Sequence, residues 1–197
     1  NENPFKAPLM FTVCVDSHKW ELIMAEREWE MECDDMLLLL LGFQDAALMA
    51  ENMVIAAETL GMGSCFLGGI PFHSKEIIEN YNLPSRVFPM VGLTMGYPAE
   101  NPPPRPRYPL DFVLFEDSYP ELESELVRKS MDVMDEGYRA QEYYAKLKAM
   151  IPLTDREETF DFETYGWTEH ICRKWGQSLF PKTLVKHMQR CGFNIER

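Results

Sequence analysis

Residues 34–70 read DDMLLLLLGFQDAALMAENMVIAAETLGMGSCFLGGI, and the rest of the chain has to be fitted around them. The run Met36–Leu41 leads into Gln44–Leu60, then the turn Gly61-Met62-Gly63, then Ser64–Ile70. Within Gln44–Leu60 the polar residues come as the pairs Gln44/Asp45, Glu51/Asn52 and Glu58/Thr59, each seven residues after the last. Seven residues are close to two helical turns, so the pairs form one polar stripe on an α-helix whose other positions are apolar. The pattern predicts a helix covered on nearly all sides, against which the other elements pack. Asp34 and Asp35 are its N-cap candidates, where a carboxylate also suits the helix dipole, and Gly61 is its stop. Joined to the leucine run, it is long enough to raise the question of a membrane span. Asp45, Glu51 and Glu58 would then lie in hydrocarbon, so it is read as the core helix of a soluble protein.

With 197 residues, 46% of them hydrophobic and 12% aromatic, the chain can bury a large core and does not read as disordered. The expectation is one domain over residues 1–197, with 150–197 as a C-terminal helical extension. A net charge of −13 without a basic arm would repel a phosphate backbone or an anionic membrane surface. Neither nucleic acid nor membrane is therefore an expected partner. The five cysteines (14, 33, 65, 172 and 191) show no CxxC and no metal spacing, which favours reduced thiols in a cytoplasm and no metal site. No secretory signal is visible, and the sequence opens on Asn1 rather than Met, as a segment of a longer product would.

Along the chain, Pro8–Val15 reads as a buried strand and Ser17–Glu32 as a charged, mobile or surface-packing segment. Ser64–Ile70 reads as a strand or strand edge. Ser74 is a candidate cap for a short helix over 75–81, and Phe88–Tyr97 is a second buried strand ended by Pro98. The stretch from Ala99 to Leu110 is too rich in proline for helix or inner strand. A long amphipathic helix is expected from Ser118 and Pro120 to about Met150, with Leu122, Leu126, Met134, Tyr138 and Tyr144 roughly on one face. Pro152–Phe162 is an acidic loop. Thr168 can cap a helix through Leu179, and Pro181 can begin another that stops at Gly192. Few strands among several helices, without regular alternation, make the fold class α+β.

Gly61-Met62-Gly63 is not a dinucleotide fingerprint: it lacks the third glycine, and it follows a helix instead of opening one. Gly68-Gly69 is more useful, because adjacent glycines at a strand end let a flat ligand approach backbone N–H groups; an ordinary bulge or turn is the competing reading. In Arg105-Pro106-Arg107 the prolines fix the backbone, and two guanidinium groups suit a terminal phosphate. Pro103–Pro106 also satisfies PxxP, so a polyproline ligand is a rival reading, and a solvated linker a third. The histidines (18, 73, 170 and 187) are scattered, and nothing places a nucleophilic triad. Cys65 is read as a small buried hydrophobe, Asp45 as a core residue bonding backbone, and the acidic loop as a solvated face. No residue stands out as a catalytic acid or base, as is the case where a cofactor carries the chemistry.

Taken together, these residues resemble the nitroreductase-like FMN flavoproteins, especially their NADPH–flavin and nitroaromatic reductase subgroup. The matching stretches are Asp45–Asn52, Ala56–Gly63 and Phe66–Ile70, followed by Leu83-Pro84, Phe88-Pro89, Gly96–Glu100 and Arg105–Arg107. Trp167–Ile171 and Gln189–Phe193 complete them in consistent order. The resemblance implies an α+β fold with a mostly antiparallel sheet, helices on its flanks and a long buried central helix. It also implies a homodimer with FMN at the subunit interface, which the central helix helps to build. Carried over by position, Arg105 and Arg107 would take the FMN phosphate, and Leu67, Gly68 and Gly69 would lie along the isoalloxazine ring. The implied reaction is ping-pong: a hydride from NAD(P)H to flavin N5, then two electrons to a nitroaromatic, quinone or flavin acceptor. No protein side chain is assigned as catalytic.

The resemblance has gaps. The family's N-terminal Arg-x-Ser-x-Arg-type element and the Ser/Asn segment after it have no counterpart, and the first arginine here is Arg27. Glu51 stands where the subgroup commonly has Gln. The basic loop for the NADPH 2′-phosphate has no clear match, with only Lys146, Lys148 and Arg156 near an acidic segment. The alternative expectation is therefore a non-catalytic, flavin-binding or flavin-free relative acting as a dimeric interaction protein.

Overall fold

The computed structural model describes residues 6–179 and 182–195. The chain forms two compact units, Asn1–Glu100 with Pro181–Arg197 and Asn101–Phe180. The first contains a three-stranded antiparallel sheet of β1 (Leu9–Asp16), β2 (Gly63–Leu67) and β3 (Val87–Gly96), ordered β1-β3-β2. Its helices are α1 (His18–Glu26), α2 (Asp35–Thr59), α3 (Ser74–Tyr81) and α8 (Leu184–Arg190). The second unit carries α4 (Leu110–Val113), α5 (Ser124–Ala140), α6 (Tyr143–Leu147) and α7 (Trp167–Gly176). The strands expected over Pro8–Val15 and Phe88–Tyr97 fall within a residue or two of β1 and β3, but β1 is not a buried strand, since Leu9, Met10 and Phe11 are exposed and only Val15 is buried; the strand expected over Ser64–Ile70 stops at Leu67. The expected start of a helix at Pro181 lies outside the described residues.

β3 is the central strand and holds Pro89, which cannot donate to a ladder. The chain accommodates it at a register shift between Val13 and Cys14, where Met90 is left between the pairs Val13–Val91 and Cys14–Pro89. Phe88 and Leu93 on this strand are fully buried. One core gathers Val15, Leu39, Phe88, Met188, Cys191, Phe193 and Ile195 from β1, α2, β3, α8 and the C-terminal segment. A second joins Val54 and Ala57 of α2 to Leu93 and Met95 of β3. Gly42, in mid-helix, costs about 1 kcal/mol of helix propensity relative to Ala. Its place is explained by approach to the sheet, since a Cβ there would collide with Val15.

The α2 boundaries agree with the sequence pattern: Asp34 Oδ1 accepts from Leu37 N–H at 2.9 Å, and Gly61 (φ +75°) follows the last turn. The expected burial on nearly all sides is not found within the chain. Leu39, Ala46, Ala50, Val54 and Ala57 form one buried face. Leu37, Leu41, Leu48 and Ile55 on the opposite face are about half exposed, at 48%, 48%, 65% and 53%. Composition showed that the helix is apolar all round; it could not show how many of its faces this one chain covers. By length and hydropathy α2 would also serve as a membrane span, with Asp45 and Glu51 among its exposed residues.

Ser17–Glu32, read as a charged, mobile or surface-packing segment, carries α1 in its first half, and α1 buries no residue. Three further expectations are corrected. The long helix to Met150 breaks: α5 ends at Ala140, Glu142 takes φ +51°, and α6 runs only from Tyr143 to Leu147. Ser74 does not cap α3; it is the first residue of that helix, and its hydroxyl meets His187 Nδ1 at 3.0 Å. Nor does Thr168 cap α7, whose N-cap is Gly166. The Asp135 carboxylate, reaching over from α5, accepts from Thr168 N–H (2.8 Å) and Thr168 Oγ1 (2.6 Å).

Candidate functional site

The two parts of the expected site fall in different units. Leu67 ends β2, and Gly68-Gly69 leads into a 3-10 turn over Ile70–His73. Leu67 is half-buried and both glycines are exposed. A Cβ on Gly68 would meet nothing within 4 Å, and one on Gly69 would meet only His73 Cδ2, at 3.9 Å. Gly69 has φ −84°, which any residue adopts, so strain does not require a glycine there. The pair instead leaves an open, side-chain-free surface beyond a strand whose other edge is paired to β3. Such a surface suits close approach of a planar group to backbone amides.

The Arg105-Pro106-Arg107 segment is not a solvated linker at its first arginine. Arg105 Nη1 donates to Gln141 Oε1 at 2.6 Å, and its guanidinium lies 4.4 Å from the centroid of the Tyr143 ring. Gln141 Nε2 in turn donates to the Pro104 carbonyl at 2.9 Å, so one amide grips the segment at two points. Pro106 packs on α5 at Gly137, where a Cβ would lie 2.5 Å from Pro106 Cγ. Arg107 is exposed, and its Nη1 reaches only the Arg105 and Pro106 carbonyls, at 3.3 and 3.1 Å. Among the described residues neither arginine has a carboxylate partner, although the chain has 32 acidic residues. Both charges are felt by Tyr138: burial and Tyr143 push its phenol pKa up, and Arg105 and Arg107 pull it back in part. Two guanidiniums without carboxylate partners among the described residues, on a proline-stiffened irregular segment, are of a kind that suits an anion.

Gln141, Tyr143 and Gly137 were not legible as site residues in the sequence. Gly137 carried the one available signal, a glycine within a strongly amphipathic helix pattern, which asks for a close neighbour.

Other candidates are accounted for by packing. Cys65 is exposed, not a buried hydrophobe, and Asp45 is exposed on α2 instead of bonding backbone in the core. Ser74 and His187 do meet, but Ser74 is fully buried, so its hydroxyl is not placed for attack on a substrate. His170 Nδ1 lies 3.2 Å from Tyr165 Oη; burial, and then the Lys174 charge, hold the imidazole below its ordinary pKa. The acidic loop is not simply a solvated face. Glu158 takes both Nη groups of buried Arg173, at 2.6 and 2.7 Å, while Glu169 takes Nε at 2.7 Å. The Arg173 fork and the Phe160 N–H bring the Glu158 carboxyl down to about 2. This network ties the loop to α7 and is read as structural.

Residues 40–97 match the model of the Nitroreductase family. An oxygen-insensitive NADPH nitroreductase of Salmonella typhimurium is 39% identical over 100 residues, 51% of this chain and 42% of that protein. An FMN reductase (NADPH) of Bacillus subtilis is 28% identical over 187 residues, 93% of this chain and 69% of that protein. The structure of the NfrA1 nitroreductase from B. subtilis superposes with a TM-score of 0.76 at 25% identity, covering 96% of this chain and 71% of that one. The chain spans about half the length of the curated relatives it matches first.

Proposed function

Because residues 40–97 carry the nitroreductase family's sequence and the described chain carries its fold, we propose that the protein is an FMN-dependent NAD(P)H oxidoreductase of broad acceptor range. The observation that carries this reading is the Arg105/Arg107 pair, held in family order after Leu67-Gly68-Gly69 and left without carboxylate partners in a chain of net charge −13. Each part, taken by itself, suits its end of the group. Arg105 and Arg107 would bind the FMN phosphate, and the open surface at Gly68-Gly69, with half-buried Leu67 beside it, would accept the flat ring. The chemistry the group supplies when bound is ping-pong hydride transfer through flavin N5, from NAD(P)H to a nitroaromatic, quinone or flavin. The work left to this chain is to hold the phosphate and present a side-chain-free backbone to the ring. That division agrees with the lack of an evident acid–base pair.

The protein acts, in this reading, as a cytoplasmic homodimer. The outward face of α2 supports it: Leu37, Leu41, Leu48 and Ile55 make an exposed apolar seam flanked by Gln44, Glu51 and Asn52, suited to a second copy. The test is direct. The purified protein should absorb in the visible as a flavoprotein and release FMN on denaturation, and R105A/R107A should strip it. Unchanged flavin occupancy in the double variant would refute the site assignment. A colourless wild-type protein that refused added FMN and oxidised no NAD(P)H would favour the non-catalytic relative.

A further inference from the structure

The break between α5 and α6 has a cost, and part of what it achieves is packing: buried Tyr144 lies against the rings of Tyr138, Tyr165 and His170. Glu142 sits in the left-handed region (φ +51°, ψ 32°), which costs a non-glycine residue about 1 kcal/mol or more. Continuing the helix would avoid this, and the sequence from Ser124 to Leu147 contains no proline. What the break achieves is local. It leaves Gln141 at the C-cap of α5 with its amide turned to the Pro104–Arg105 segment, and it swings Tyr143 beneath the Arg105 guanidinium. Lys146 staples the turn, donating to the Gln141 carbonyl at 3.0 Å and pairing with Glu142 at 3.1 Å. One turn earlier, Gly137 provides the notch into which Pro106 fits.

The choice of partner is the informative part. The usual way to fix an arginine is a carboxylate, and among the described residues this happens twice, at Arg86 and at Arg173. Arg105 is fixed instead by a neutral amide and a neutral ring. Both orient the guanidinium plane without cancelling its charge, and a single bond to Nη1 leaves the other N–H donors available. Arg107 lacks such a cradle and touches only backbone carbonyls of its own segment.

We infer that Gln141 and Tyr143 are positioning residues for Arg105. Presented by the α5–α6 break, they preorganise one guanidinium as the fixed contact for a terminal phosphate while keeping its charge intact, and Arg107 is the adaptable second contact. This inference rests on the proposed FMN site and deepens it. It explains why the position is Gln in a chain that uses acids so freely: a carboxylate at 141 would compete with the phosphate for Arg105.

FMN and riboflavin differ only in the phosphate, so the ratio of their dissociation constants isolates it. Flavin-fluorescence titrations of the wild type, R105A, Q141A and Q141E provide the test. R105A should collapse the preference for FMN. Q141A should weaken FMN about tenfold, as expected for loss of a bond that orients a charged group, with riboflavin affinity unchanged. Q141A should add little in the R105A background, since it acts through that residue. Q141E keeps an acceptor for Arg105 but gives up the Nε2 donation to the Pro104 carbonyl, so an unchanged riboflavin affinity is the control that the segment still holds its place. The inference expects Q141E to bind FMN no better than Q141A. Should R105A leave the FMN-to-riboflavin ratio unchanged, the phosphate site itself is wrong. A ratio that collapses in R105A but stays intact in Q141A, or is restored in Q141E, overturns the positioning role alone. If Q141A fails to fold, Y143L serves in its place, with the same expected loss confined to FMN.

Discussion

Replacing Arg86 with Met should be among the most damaging single changes in the first unit. Arg86 sits between α3 and β3 with φ +67°, and its backbone bonds to the Cys191 carbonyl and to Ser17. Its Nη2 donates to Asp35 Oδ1 at 2.6 Å, its Nη1 to the Gly192 carbonyl at 3.1 Å, and its Nε lies 2.7 Å from Glu21 Oε1. The Nε contact is a charge contact without hydrogen-bond alignment. Asp35 also accepts from Asn194 N–H at 2.6 Å, so the pair joins α1, the start of α2, the β3 entry and the C-terminal segment. Arg86 and Asp35 side chains are each 11% exposed, whereas Glu21 is 37% exposed. The Glu21 arm is therefore worth at most about 1 kcal/mol, while removing the cation strands a nearly buried carboxylate, at about 3–5 kcal/mol.

A loss of about 3 kcal/mol should lower the urea midpoint by about 1.5 M if the slope is about 2 kcal/mol/M. Burial alone would raise the Asp35 pKa, but the Arg86 bond, the Asn194 N–H and the Arg86 charge outweigh it and hold it below the ordinary value. A depressed carboxyl contributes stability above its unfolded pKa of about 4, and loses it as pH falls through the folded pKa. The gap between wild type and R86M should therefore be widest at neutral pH and narrow below about pH 4. Adding D35N to R86M removes the stranded charge and should recover about 1–2 kcal/mol. A midpoint shift under about 0.5 M, or a double variant no more stable than R86M, would refute the reasoning.

Two further outcomes are expected. Cys191 is buried, and burial, with Cys14 adding to it, pushes its thiol up to about 11; Cys33, Cys65 and Cys172 are exposed. Iodoacetamide at neutral pH should therefore modify those three in the native protein and Cys191 only on unfolding, as peptide mass mapping would show. Since Glu158 titrates at about 2 when folded, against about 4.5 unpaired, its tie to Arg173 should persist at neutral pH and weaken as pH falls through that window. Hydrogen-exchange protection around Pro152–Phe162, taken relative to the intrinsic rate at each pH, should fall there, and E158Q should show the lost protection already at neutral pH.

The sequence alone determined whatever depends on near neighbours along the chain. The seven-residue recurrence of polar pairs gave α2 its length, Asp34 and Gly61 marked its ends, and β-branched and aromatic runs placed β1 and β3 within a residue or two. The prolines around Arg105 and Arg107 showed a stiffened cationic segment. These features are set by propensity and capping within a few residues. Tertiary structure decided what depends on partners distant in sequence. Helical period could not show that α2 buries only one face within the chain, because an apolar residue reads alike whether covered by this chain or by another. The cap of α7 comes from Asp135, 33 residues before Thr168, so no local pattern could reveal it. The long helix breaks after Ala140 against its own propensity, where burial of Tyr144 among Tyr138, Tyr165 and His170 and the Gln141 bonds to the Pro104–Arg105 segment offset the strain at Glu142. Those contacts turned two arginines visible in the sequence into one fixed from a neighbouring helix and one that bonds only its own segment.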